Sequence, residues 1–79
     1  MRIFVGNLAS TTTEDELRQL FAPYGEIEYA SIIAERATGQ AQGFVGMPHA
    51  TEAQAAIDGL QGTRLKGQTL TIHPAHWQW

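Results

Sequence analysis

At 79 residues the chain has room for one domain and not for two. Its composition, 43 % hydrophobic and 16 % charged, is that of a globular protein and excludes a disordered one, and the lack of cysteine excludes a disulfide framework and thiolate metal sites. Five Lys+Arg against eight Asp+Glu, a net charge of −3, leave none of the basic footprint that bulk electrostatic binding of nucleic acid uses.

The first strand is expected over Arg2 to Gly6, with Ile3 and Val5 toward a core and Phe4 and Gly6 on the other side. Asn7 to Thr12 reads as a polar loop. Thr13 caps a helix, Glu16 completes a capping box, and the acids Glu14-Asp15-Glu16 suit the positive helix end rather than forming a catalytic cluster. Leu17, Leu20 and Phe21 form that helix's apolar stripe, and Pro23 and Gly25 end it. A second strand runs from Glu26 to Ala34, with Ala30 and Ile32 inward and Tyr29, Ser31 and Ile33 outward; Glu35 to Gln40 is a turn with Thr38-Gly39 at its tip. The third strand, Ala41 to Met47, turns Gly43, Val45 and Met47 inward and Gln42, Phe44 and Gly46 outward.

Pro48 and His49 break that strand. A second helix follows from Ala50 to Leu60, its stripe made by Ala53, Ala56, Ile57 and Leu60, with Gly59 and Gly62 weakening and stopping it. Thr63 to Gly67 is a loop with room for a short hairpin. The last strand is expected over Gln68 to His73, with Leu70 and Ile72 inward, Thr69, Thr71 and His73 outward, and Pro74 ending it. The order is βαββαβ, an α+β, ferredoxin-like sandwich: both helices cover one side of a four-stranded antiparallel sheet, and the other side carries Phe4 and Phe44.

The segment Ile3 to Leu8, IFVGNL, matches at every position the RNP-2 hexamer of the RNA recognition motif (RRM) family, and the chain resembles that family from Arg2 to about Ala75. Gly25-Glu26-Ile27, Thr38-Gly39-Gln40 and Ala53 to Gly62 are similar to the family at the expected places. The RNP-1 octamer, K/R-G-F/Y-G/A-F-V-x-F/Y, is matched in part and in two registers. One aligns Gln40 to Met47, puts Phe44 at position five and Gln42 where the third-position aromatic belongs. The other begins at Gln42 and puts Gly46 where the fifth-position aromatic belongs. The first is preferred, because Val45 and Met47 then fall on core positions. Either way Phe44 faces outward, one aromatic is lost and glutamine replaces the opening cation. Residues 1–75 then make the RRM domain and residues 76–79 a tail with two tryptophans.

The resemblance implies binding of single-stranded RNA across the sheet, or of single-stranded DNA, with bases stacked on Phe4 and Phe44. Two rings at ~1–3 kcal/mol each supply ~2–6 kcal/mol, short of the ~8 kcal/mol of micromolar binding. Arg2 shares the parity of Phe4; Arg36, Arg64 and Lys66 lie in loops at the margins. Tyr29 is either a third ring or a rim residue, Gln42 a base-edge partner or a solvated amide, and Asn7 a loop-shaping residue or a ligand contact. His73 faces the sheet surface, where it is placed to stack or to donate. Trp77, with Trp79, either folds over the sheet and replaces the lost ring, blocks the sheet, anchors a dimer, or belongs to a frayed chain end.

His49, His73 and His76 are not spaced as metal ligands, and no cofactor or metal is expected. A phosphate-cradling enzyme on the same layout would need an arginine in Asn7 to Thr12, which has none. The chain resembles the short one-domain RNA-binding proteins of bacteria, which implies a post-transcriptional regulatory or chaperoning role. The competing function is a protein-interaction or homodimerising module on the same face, the chain being a monomer or a weak homodimer. No apolar run approaches the ~18 residues of a membrane span, and MRIFVGNL is too short for a signal peptide, so the expected compartment is the cytoplasm.

Overall fold

A computed structural model describes residues 1–35, 37 and 39–75. Strand β1 spans Arg2–Ala9, helix α1 Glu14–Phe21, β2 Tyr29–Glu35, β3 Gln40–Gly46, α2 Ala50–Leu60, β4 Arg64–Leu65, β5 Gln68–Thr69 and β6 Thr71–Pro74. Four strands form one antiparallel sheet in the order β2-β3-β1-β6, and β4 and β5 form a separate hairpin. This is the ferredoxin-like sandwich that the sequence predicts.

The alternation of β1 and β3 positions the core. Ile3, Val5, Val45, Met47 and Ile72 are fully buried and pack with Leu17 and Phe21 of α1 and Ala53, Ala56 and Ile57 of α2. Helix α1 begins with the expected capping box: the Glu16 N–H donates to Thr13 Oγ1 at 3.2 Å and the Thr13 N–H to Glu16 Oε1 at 2.9 Å. A 3-10 turn, Ala22–Tyr24, carries Pro23 and ends it. Gly59 lies inside α2 without stopping it; a Cβ there would sit 2.3 Å from the Tyr24 hydroxyl, so the residue makes room for the ring of that turn.

Several boundaries differ from expectation. Strand β1 does not end at Gly6. It continues to Ala9 through a bulge between Val5 and Leu8, after which Leu8 pairs Ala41 and is buried. Asn7 takes the extra step at φ 64°, a left-handed conformation that asparagine tolerates. Strand β2 starts three residues late, at Tyr29, and Glu35 and Gln40, expected in the turn, pair with each other as strand residues; Thr38 lies outside the described residues.

The expected last strand is two. Gln68–Thr69 folds back on Arg64–Leu65 through Lys66-Gly67, both at positive φ (53° and 79°), as a two-residue hairpin turn requires. Thr71–Pro74 then pairs β1. Pro74 does not end the pairing: it sits in an edge strand, where its missing N–H removes no ladder bond, and the Ala75 N–H still donates to the Arg2 carbonyl at 2.8 Å.

Candidate nucleic-acid interface

The face of the sheet away from the helices is laid out by the strand register. Across its middle runs one row, Ser31, Phe44, Phe4 and His73, each opposite the next on β2, β3, β1 and β6. The Phe4 and Phe44 rings meet edge to face with centroids 5.6 Å apart. Both are half-buried, while Ser31 and His73 are exposed. The Phe4 ring leans over Gly6, where a Cβ would lie 3.0 Å from its Cε2.

A second row, Tyr29, Gly46 and Arg2, crosses the sheet beside the first. The Tyr29 ring lies over Gly46 so closely that a Cβ there would fall 2.1 Å from Cε2. Its hydroxyl accepts from Arg2 Nε at 2.9 Å. Glycine at 46 thus lets a tyrosine from the edge strand cross β3 and orient an arginine on β1. On the other side of the phenylalanines Gln42 is exposed and stands opposite Ile33, which is 62 % exposed.

Among the described residues, cations other than Arg2 lie away from the ring rows. Lys66 is turned from the sheet toward the start of α1, where its Nζ donates to Glu16 Oε1 at 2.9 Å and to the Thr11 carbonyl at 2.9 Å. This ammonium, and after it the Thr13 N–H, hold the Glu16 carboxyl below its ordinary pKa. Arg64 lies in β4, not in a loop, and Arg36 is outside the described residues.

The model of the RNA recognition motif family matches residues 3–71, all but the ends of the chain. The chain belongs to the RNA recognition motif family. Among its relatives, polyadenylate-binding protein RBP45 of Nicotiana plumbaginifolia is 41 % identical over 70 residues, 89 % of this chain but 16 % of RBP45. RbpA of Nostoc sp. (strain PCC 7120) is 39 % identical over 77 residues, 95 % of this chain and 76 % of RbpA. The crystal structure of RNA binding protein PG1 superposes with a TM-score of 0.86 at 34 % identity, covering 99 % of this chain and 96 % of that one.

Within this RRM the geometry favours the RNP-1 register that runs from Gln40 to Met47. Val45 and Met47 are fully buried, and at Gly43, position four, a Cβ would lie 2.8 Å from Leu17 Cδ2, which explains the small residue. The competing register would carry the octamer to Pro48 and His49, beyond the strand and exposed.

Of the residues singled out from sequence, Phe4, Phe44 and His73 come together in one row and Tyr29 and Arg2 in the next, with Gln42 beyond Phe44. Asn7 stands at the bulge and its Nδ2 donates to the Thr69 carbonyl at 2.7 Å, which gives it a part in the sheet's shape. Trp77 lies outside the described residues. Sequence reasoning left Ser31 and Ile33 off the site. Their outward parity was the available signal, but only the pairing to Phe44 and Gln42 places them beside the rings.

Proposed function

We propose that this chain binds single-stranded RNA across the open face of its sheet, with one base stacked on Phe4 and another on Phe44. The family, and the RNA-binding names that relatives carry, support RNA as the ligand. The observation that carries the mechanism is the ring pair: two aromatic side chains on adjacent central strands, 5.6 Å apart, on the side the helices leave uncovered. Every base has a π-face, so such a platform binds with little sequence preference.

Discrimination then falls to the polar groups that border the rings. His73 and Ser31 close the two ends of the central row, and Gln42 presents an amide beside Phe44 at the position where the RNP-1 pattern has an aromatic. Arg2, oriented by Tyr29, stands in the row beside the rings. Trp77 adds a further stacking surface from the tail. The role is post-transcriptional, in the cytoplasm, as a binding module without a catalytic step.

The test is a titration of short fluorescent RNA oligomers by anisotropy with the wild type, Phe4→Ala and Phe44→Ala. Each substitution is expected to weaken binding by about 5- to 150-fold, the equivalent of ~1–3 kcal/mol per lost stack. Wild-type affinity in both variants refutes the stacking mechanism. The tail is read separately: quenching of tryptophan fluorescence by RNA in the wild type and its reduction in Trp77→Phe support the role of Trp77.

A further inference from the structure

The sheet has two edges, and they are treated differently. Strand β6 is four residues long, contains Pro74, and has its outer side closed: the Gln61 carboxamide accepts from the Ile72 N–H at 3.1 Å and donates back to the Ile72 carbonyl. Proline, short length and a covering side chain are the devices by which proteins stop an edge from recruiting another strand.

Strand β2 has none of them. It runs seven residues, Tyr29 to Glu35, without proline, lysine or arginine, and pairs β3 residue for residue with no bulge. Between described residues no hydrogen bond reaches its outer edge. Ile33, at 62 % one of the two exposed large hydrophobic residues among those described, stands on it.

We infer that β2 is a dimerisation edge, and that its occupant is β2 of a second copy, antiparallel, with the two-fold axis at Ile32. The strand is self-complementary in that register. Ile32 meets Ile32 and Ala30 meets Ala34 on the helix side; Ser31 meets Ile33 on the open side; Tyr29 meets Glu35 at the ends. All seven residues pair and no like charges oppose, as specific cross-strand pairing requires. A two-fold axis normal to the sheet keeps both helical layers on one side. The result is an eight-stranded sheet whose open face is continuous. The two Phe44 strands then lie three strand spacings apart, about 14 Å, so the ring pairs of both copies form one platform.

The test uses the full chain without RNA, so its outcome is independent of the RNA reading. Sedimentation from about 10 μM to about 1 mM, the range of weak association, is expected to show the wild type passing from monomer to twice the monomer mass. The substitution pair Ser31→Lys with Ile33→Lys opposes like charges at two places across the seam and is expected to weaken the dimer by about tenfold or more. Ser31→Lys with Ile33→Glu opposes opposite charges at the same places and is expected to dimerise at least as well as the wild type. Both positions are exposed, and unchanged circular dichroism verifies the fold. In the wild type, hydrogen exchange of β2 amides is expected to slow as concentration rises. A single monomer mass throughout, or a like-charge variant that dimerises as the wild type does, overturns the inference. A dimer whose opposite-charge variant stays monomeric overturns the register.

Discussion

Gly46 shows how much of this surface depends on a side chain that is absent. The Tyr29 ring occupies the space a Cβ would take and holds Arg2 through its hydroxyl. Gly46→Val must therefore displace that ring, and overpacking of this kind costs ~1–3 kcal/mol. Chemical denaturation should show that loss, with RNA affinity falling as Arg2 loses its orienting partner. At this scale the sequence was legible in one respect and silent in another. Phe4 and Phe44 face outward because a period of two leaves no other choice once Ile3, Val5 and Val45 are buried. The contact of Tyr29 with Arg2 joins residues 27 positions apart on strands that are not neighbours, and no local pattern announces it. Because the two phenylalanine rings touch, the double variant Phe4→Ala/Phe44→Ala is expected to lose less binding than the two single losses added together.

At the scale of elements, α1 is the one whose start was fully written in local sequence. Its box closes within four residues, and Thr13→Ala should cost ~1 kcal/mol in thermal or denaturant unfolding. Glu16 adds a pH dependence of known sign. Its carboxyl is held below its ordinary pKa, first by Lys66 and then by the Thr13 N–H, so the native state favours the ionised form. Its contribution is present above the unfolded value of about 4.3 and lost as pH falls through the lower native value. The difference in melting temperature between wild type and Glu16→Gln should thus be seen near neutral pH and vanish in acid. The strand ends were less legible. The bulge at Asn7 is completed by the Thr69 carbonyl 62 residues away, and the break between β5 and β6 comes from pairing, since Leu70 turns back to donate to the Thr63 carbonyl at 2.8 Å. A reading of alternation alone runs straight through both.

For the whole molecule, charge and shape favour different kinds of binding. With a net charge of −3, long-range attraction of a polyanion is weak, while the sheet offers rings, an arginine and hydrogen-bonding groups at close range. Lys66 is paired with Glu16 at the start of α1, away from the rings. With two phosphates neutralised, log K should fall against log salt with a slope of only about −1.4, measurable by repeating the RNA titration across salt concentrations. A much steeper slope would mean that backbone charge rather than stacking holds the ligand.

The most direct measurement is nuclear magnetic resonance of the complex with a short single-stranded RNA. Intermolecular Overhauser effects are expected from the Phe4 and Phe44 ring protons to base protons, with shift changes spreading to Ser31, Gln42 and His73. Contacts confined to the helical side, around Glu16, Gln19 and Leu20, with both rings unperturbed, would contradict base stacking on the sheet.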